Sequence, residues 1–279
     1  VKVFAVVGTP IQHSLSPSLH NLLFQAWGVD DTYLRWEVLP HELETAVAMF
    51  RRNLAGFNVT APHKKSIIPY LDGLHFSAEL YGAVNTVKNE SGQLIGYNTD
   101  GIGFLRGLDE LDYDLHGTRV LLLGAGGAAQ TVALELALQG CVFTIANREV
   151  SRAYTLQVLL ENRFPGVDVE ITDITRIPRH PYDVVINATP VGMGDLQGET
   201  PLASHYLHGV KLVYDLIYNP ARTKLLQLAQ EAGCQTVNGL GMLVHQGMRA
   251  QEIWQDREVE PQLAEQILEA MAKELYGHD

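Results

Sequence analysis

Arg119–Gly140 reads RVLLLGAGGAAQTVALELALQG, and this stretch decides the fold. Arg119–Leu123 is a continuous apolar run with no polar alternation, the mark of a strand covered on both faces. It runs into Gly124-Ala125-Gly126-Gly127-Ala128-Ala129, which satisfies G-x-G-x-x-A, and then into a helix, Ala128–Leu138, that Gly140 stops. Gly124 permits the tight turn, Gly126 lets the backbone approach a pyrophosphate, and Ala129 lets the helix lie close on the sheet. The helix N-terminus then offers free N–H groups and a positive dipole end to the anion. A glycine pattern alone is weak evidence; the strand before it and the helix after it supply the context that makes it a dinucleotide-binding turn. Further strands are expected at Val142–Ala146, Val167–Ile171, Asp183–Ala188 and Val210–Leu216, with a helix between the first two. Strands alternating with helices imply a doubly wound parallel sheet.

About twenty residues beyond the glycines, at the end of the second strand, a dinucleotide site reads the ribose. An acidic residue there suits NAD. Here the chain has Ala146-Asn147-Arg148-Glu149, with Arg152 one turn later. Two guanidiniums suit a 2′-phosphate, so NADP is favoured. The bland alternative is that both arginines solvate a helix start. Glu149 keeps NAD open, because a carboxylate beside a phosphate is repulsive unless it points away or pairs with Arg152.

Upstream, Val3–Val7 reads as a strand. A helix follows, with Leu19, Leu22, Leu23, Ala26 and Trp27 on one face, Ser16 as N-cap, Pro17 at N1 and Gly28 as the stop. Tyr33–Leu39 and Gly56–Thr60 read as strands, Glu42–Arg52 as a helix, and Asn85–Tyr97 as a hairpin turning at Glu90-Ser91-Gly92. After Gly239 only helices remain: Leu240–Trp254, and one whose Leu263, Ile267, Ala270, Met271 and Leu275 share a face. The expectation is an α/β protein of two domains. Residues 1–101 form a substrate-binding and catalytic α/β domain, on which the helices of 240–279 pack back, and residues 102–239 form the parallel-sheet cofactor domain.

Composition narrows the function. Among 279 residues, 20 are Lys or Arg and 32 Asp or Glu, a formal charge of −12. That balance argues against nucleic acid and anionic lipid as partners, since both need a positive field. Cys141 and Cys234 cannot build a disulfide framework, and a reducing cytoplasm is the expected compartment. No stretch approaches the roughly 18 apolar residues of a membrane span, and the apolar run in VKVFAVVGTP is too brief for a signal peptide. Among the 11 histidines there is no H-E-x-x-H or Cys/His cluster, and His205-x-x-His208 lacks a clear acidic partner, so no metal is expected. Trp27, Trp36 and Trp254 are read as packing residues, and Gln255–Glu265 as solvated helix.

Four polar clusters crowd the first hundred residues. Gln12-His13-Ser14-Leu15-Ser16-Pro17 sets two hydroxyls before a helix start, which suits a carboxylate, although capping alone explains them equally well. Gly56-Phe57-Asn58-Val59-Thr60-Ala61-Pro62-His63-Lys64-Lys65 ends a strand with an amide, a hydroxyl and lysines, where ligands gather in an α/β domain. Gly82-Ala83-Val84-Asn85-Thr86 and Gly96-Tyr97-Asn98-Thr99-Asp100-Gly101 are amide and acid groups between glycines, which also read as turns.

Taken together and in order, Ser14-Leu15-Ser16-Pro17, Asn58-Val59-Thr60 with Pro62-His63-Lys64, Gly82–Thr86 and Asn98-Thr99-Asp100-Gly101 resemble the shikimate dehydrogenases. The second half agrees at Gly124–Ala129, Asn147-Arg148, Asn187-Ala188-Thr189-Pro190 with Gly192-Met193, and Tyr214-Asp215-Leu216-Ile217-Tyr218. Asn238-Gly239-Leu240-Gly241-Met242-Leu243-Val244 followed by Gln246 completes it. The resemblance covers nearly the whole chain. It implies a Rossmann cofactor domain and reversible NADPH-dependent reduction of 3-dehydroshikimate in a cleft between domains. Ser14 and Ser16 would hold the substrate carboxylate, and Thr60, Asn85, Tyr218 and Gln246 would bond its hydroxyls or carboxylate. Lys64 and Asp100 would be the catalytic pair. Gly124, Ala125, Gly126, Gly127 and Ala128, with Asn147, Arg148 and Arg152, would bind NADP, and Met193, Leu216 and Gly239 would lie along the nicotinamide. Glu149 departs from the Thr that family members often carry after Asn-Arg.

The chemistry stands on its own. Ketone reduction needs a hydride donor against the carbonyl carbon and a proton source at its oxygen. A lysine oriented by an aspartate supplies the second and stabilises the developing alkoxide. For oxidation an ordinary lysine, with a pKa near about 10.4, is a poor base, so burial or relay through the aspartate has to help. Two rivals follow: a quinate/shikimate dehydrogenase using NAD or both cofactors, and a nucleotide-binding sensor without catalysis. A sensor needs neither Lys64 nor Asp100. Oligomeric state is left open between monomer and homodimer.

Overall fold

Two sheets and their helices divide the chain into two units, Val1–Gly103 with the chain from Val244 onward, and Phe104–Leu243. The computed structural model describes residues 1–109, 111 and 113–277.

In the first unit the order is β1 (Val3–Gly8), α1 (Ser16–Trp27), β2 (Thr32–Glu37), α2 (Leu43–Asn53), β3 (Gly56–Val59), α3 (His63–Ser66), β4 (Gly73–Leu74), α4 (Phe76–Tyr81), β5 (Thr86–Glu90) and β6 (Gln93–Tyr97). The sheet runs β2-β1-β3-β5-β6-β4, parallel through β2, β1 and β3 and antiparallel at β3/β5 and β5/β6. Because side chains alternate along β1, Ala5 and Val7 enter a core with Val47, Phe50 and Phe57, while Phe4 and Val6 enter another with Phe24, Tyr33, Ala250 and Trp254. Burial on both faces is why the strand reads as an unbroken apolar run. The hairpin turns at Ser91 (φ 54°) and Gly92 (φ 93°) between Glu90 and Gln93, a two-residue turn with both positions left-handed.

Helices α5 (Asp100–Asp109), α6 (Gly127–Leu138), α7 (Val150–Arg163), α8 (Lys224–Glu231), α9 (Leu240–Gln255) and α10 (Pro261–Tyr276) follow, with strands β7 (Arg119–Leu123), β8 (Val142–Asn147), β9 (Val169–Asp173), β10 (Val184–Asn187), β11 (Leu212–Asp215) and β12 (Gln235–Val237). The second sheet is β9-β8-β7-β10-β11-β12, parallel throughout. Counted within this unit, the order is 3-2-1-4-5-6, the doubly wound arrangement that reverses direction at β7/β10. Helix α9 packs on the first unit's sheet, where the Trp254 indole donates to the Val87 carbonyl at 2.9 Å, and α10 lies against α1. A Cβ at Gly56 would overlap the Trp254 ring, so only glycine fits there.

Three local readings are corrected. Ser16 is the first helical residue of α1 rather than its N-cap; Leu15 takes that place without a side-chain bond. Instead the Ser14 hydroxyl accepts the Ser16 N–H at 3.3 Å. Gln255–Glu265 is not one helix, because α9 ends at Gln255 and α10 begins at Pro261, whose ring starts a helix but cannot continue one. The third strand of the second sheet starts at Val169, two residues later than Val167. No expectation covered α5. Its Gly101, Gly103 and Gly107 are poor helix formers, yet a Cβ at Gly107 would come within 2.6 Å of the Tyr214 hydroxyl, and glycine is what lets the helix pass.

Candidate active site

Lys64 and Asp100 meet. The turn after β3 leads into α3, and Lys64 Nζ lies 2.5 Å from Asp100 Oδ2 at the first position of α5. The Lys64 side chain is 35% exposed and that of Asp100 16%, so the pair is reachable from solvent on the lysine side. The start of α5 places Asp100. Asn98 Oδ1 accepts the Asp100 N–H at 2.9 Å, and the Thr99 carbonyl accepts the Gly103 N–H at 3.0 Å. A carboxylate at a helix start is favoured by the helix dipole. Its second oxygen, Oδ1, accepts from Asn85 Nδ2 at 2.8 Å.

Asn85 is 3% exposed, and its amide is committed to protein partners. Nδ2 also faces Thr99 Oγ1 at 2.9 Å and Gln246 Oε1 on α9 at 3.3 Å, while Oδ1 accepts the Thr99 N–H at 2.9 Å. Lys64, Asn85, Asp100 and Gln246, drawn from four separate segments, thus form one hydrogen-bonded group. Thr60 is half-buried at the end of β3, its carbonyl accepting the His63 N–H at 2.9 Å. Ser14 and Ser16 are half-buried at the start of α1, where the Ser14 hydroxyl accepts the Ser16 N–H. Sequence reading missed Arg35, whose guanidinium donates to the Ser14 carbonyl at 2.7 and 3.2 Å and holds that loop.

The second unit holds the other predicted residues. Gly124 has φ +109°, and a Cβ there would come within 2.9 Å of the Ala188 carbonyl. Gly126 caps α6 with no side-chain bond, and the space beside Gly126 and Gly127 is open to 4 Å. Ala125 is half-buried and Ala128 exposed, with Ala129 fully buried against the sheet. An uncapped helix start fronted by open glycines fits a pyrophosphate. Asn147 Nδ2 donates to the Glu149 carbonyl at 2.8 Å. Arg148 is exposed with no ion pair among the described residues, whereas Arg152 Nε lies 2.7 Å from Glu149 Oε2. The dissenting carboxylate therefore pairs with Arg152. Leu216 and Gly239 are brought together so tightly that a Cβ at Gly239 would overlap the Leu216 carbonyl. Met193 precedes a single tight turn and is 46% exposed. Burial pushes the Tyr218 phenol above its ordinary pKa. Among the described residues no group of three or more His, Cys, Asp or Glu is arranged to hold a metal, and no helix is long and apolar enough to cross a membrane.

The chain is similar to known proteins along most of its length. The family described as "Shikimate dehydrogenase substrate binding domain" matches residues 6–87, and "Shikimate / quinate 5-dehydrogenase" matches residues 108–192. A Moorella thermoacetica protein named shikimate dehydrogenase (NADP(+)) is 44% identical over 96% of this chain and 92% of its own. The chain belongs to the shikimate dehydrogenase family. Among solved structures, a shikimate dehydrogenase in complex with NADP+ superposes with a TM-score of 0.91 at 38% identity, covering 97% of this chain and 96% of that one. A Listeria monocytogenes shikimate 5-dehydrogenase in complex with shikimate and NAD gives 0.90 at 39% identity, with the same coverage, 97% and 96%.

Proposed function

We propose that this chain catalyses the reversible NADPH-dependent reduction of 3-dehydroshikimate to shikimate, with Lys64 and Asp100 handling the proton. The 2.5 Å contact between Lys64 Nζ and Asp100 Oδ2 carries the reading, because it joins a proton donor to a group that orients it. Bound NADPH supplies the hydride to the carbonyl carbon. The Lys64 ammonium donates to the carbonyl oxygen, stabilises the charge that develops there and gives up its proton to complete the hydroxyl. Asp100 aims the ammonium. In the oxidation direction the same pair takes the hydroxyl proton back.

Ser14 and Ser16 bind the substrate carboxylate; Thr60, Asn85 and Gln246 face its ring hydroxyls. Gly124–Ala128 cradle the pyrophosphate, and Arg148 binds the 2′-phosphate with Asn147 and Arg152 beside it. Met193, Leu216 and Gly239 border the nicotinamide. The enzyme works on small molecules as a monomer or homodimer in the cytoplasm.

One observation favours a second reading. Glu149 neutralises Arg152, leaving a single uncompensated guanidinium at the ribose, so use of NAD as well as NADP is supported, with quinate as the accompanying substrate. Absorbance at the reduced-nicotinamide band separates the cases, with shikimate or quinate each mixed with NADP+ or NAD+. Turnover with shikimate and NADP+ alone is expected. Turnover with quinate or NAD+ promotes the second reading, and silence in all four mixtures removes the enzyme. Lys64→Ala should lower kcat by a factor of about 100 or more and change KM far less; an unchanged kcat would take Lys64 out of the chemistry.

A further inference from the structure

Behind the catalytic pair lies a run of buried polar side chains to which the reading above gives no role. Tyr33 on β2 is 2% exposed and donates its hydroxyl hydrogen to Asn58 Oδ1 on β3 at 2.6 Å. Asn58 Nδ2 donates to Thr86 Oγ1 on β5 at 3.0 Å and to the Asn85 carbonyl at 3.1 Å. Thr86 is fully buried and donates to Asn85 Oδ1 at 2.9 Å. Asn85 Nδ2 then reaches Asp100 Oδ1 at 2.8 Å, and Lys64 holds the other oxygen. At the far end the Tyr33 ring stacks on His20 with centroids 4.2 Å apart.

The direction of each hydrogen is forced by the backbone. Asn85 Oδ1 has to accept, because the Thr99 N–H faces it. Asn58 Nδ2 has to donate, because the Asn85 carbonyl faces it. With both amides pinned, Thr86 can only accept from Asn58 and pass its own hydrogen to Asn85, and Tyr33 can only donate to Asn58. Every hydrogen from Tyr33 onward points towards Asp100. Bonds aligned this way polarise one another and fix the plane of the Asp100 carboxylate.

We infer that Tyr33, Asn58 and Thr86 are positioning residues for the Lys64–Asp100 pair, acting through the Asn85 amide. The inference rests on the reading of that pair as the proton-handling group. Three strands each place one polar side chain in an otherwise apolar interior, where unpaired polar groups are costly. The string ends on the one carboxylate the chemistry needs.

The test uses Tyr33→Phe, which deletes one hydroxyl, and the pair Thr86→Val and Thr86→Ser. Losing one link is expected to lower kcat about three- to tenfold in Tyr33→Phe and Thr86→Val, with KM for shikimate within about twofold of wild type. Thr86→Ser keeps the hydroxyl and should keep kcat, while melting below wild type because a buried methyl is lost. Across the three variants kcat is therefore expected to follow the hydroxyl rather than the melting temperature, a pattern that a purely structural role does not produce. A second readout needs no turnover. Carbamylation of Lys64 by cyanate, followed by peptide mass spectrometry, should run faster in the Phe and Val variants and at the wild-type rate in the Ser variant. The inference is overturned if Tyr33→Phe and Thr86→Val leave kcat within twofold and cyanate rates unchanged, or if kcat simply follows melting temperature. A wild-type protein that oxidises no cyclic hydroxy acid would sink the proposed function, and the cyanate rates would still decide this inference.

Discussion

The Glu149 carboxylate and the Arg152 guanidinium are both more than half exposed, at 59% and 65%, so their pairing contributes little to stability. Its consequence is for charge at the C-terminal end of β8. With Arg152 occupied, Arg148 is the guanidinium that the proposed function assigns to the 2′-phosphate. Arg148→Ala should therefore raise KM for NADP+ about tenfold while moving KM for NAD+ much less, since a charged hydrogen bond to phosphate is at stake. Glu149→Thr frees Arg152 and should lower KM for NADP+ several-fold. Initial rates at saturating shikimate check both, and equal effects on the two cofactors would withdraw the 2′-phosphate assignment. The two arginines and the chance of their pairing were legible in the sequence, because residues three apart on a helix are neighbours. The setting of Asn85 was not. Its amide faces Gln246, 161 residues away, and no local pattern announces that meeting.

At the scale of an element, Asp215 closes β11 and ties three others to it. Its Oδ1 accepts from Asn187 Nδ2 at the end of β10 (2.9 Å) and from the Ile217 N–H (3.1 Å). Its Oδ2 accepts from Thr223 at 2.7 Å, the residue that caps α8. Burial outweighs these donors and pushes the carboxyl up to about 6 from 3.8. Between those two values the native chain holds a proton that the unfolded chain has lost, so stability from this group falls as pH rises. From pH 4.5 to 7.5 the loss is about 2 kcal/mol. Asp215→Asn removes that slope. Urea unfolding of both proteins at the two pH values should show the variant gaining on wild type by about that amount as pH rises, and a pH-independent difference would mean the carboxyl titrates normally. The strand itself was readable from Val210–Leu216. The knot at its end was not, since Asp215 looks like any polar residue after an apolar run until Asn187 and Thr223 close around it. Helix α5 stayed hidden for the converse reason: its glycines argue for a loop, and close passage beside Tyr214 overrides their propensity.

The whole molecule carries opposite acid responses in its two units. His20, in the first unit, is fully buried, and burial lowers its pKa from 6.5 to about 3. Below pH 6.5 the unfolded chain takes up a proton there that the native unit refuses, so the first unit loses about 3 kcal/mol between pH 7.5 and 4.5. Over the same interval Asp215 makes the second unit more stable. The carboxylates held below their ordinary range, Asp72, Asp173 and Asp183, act only at pH values below about 4 and leave this interval alone. The α/β order of the chain and the parallel sheet were legible from the strand at Arg119–Leu123 outward. The chain divides inside α5 and α9, after Gly103 and Leu243, where continuous helices give no boundary signal. The tryptophans make the opposed responses measurable. Trp27, Trp36 and Trp254 all belong to the first unit, so indole fluorescence reports that unit alone, while far-ultraviolet circular dichroism reports both. On moving from pH 7.5 to 4.5 the fluorescence melting midpoint should drop below the dichroism midpoint. His20→Gln, which cannot take up the proton, should narrow that gap while leaving the dichroism of the second unit unchanged. Coincident midpoints at both pH values in the wild-type protein would show that the buried histidine does not set the acid response of its unit.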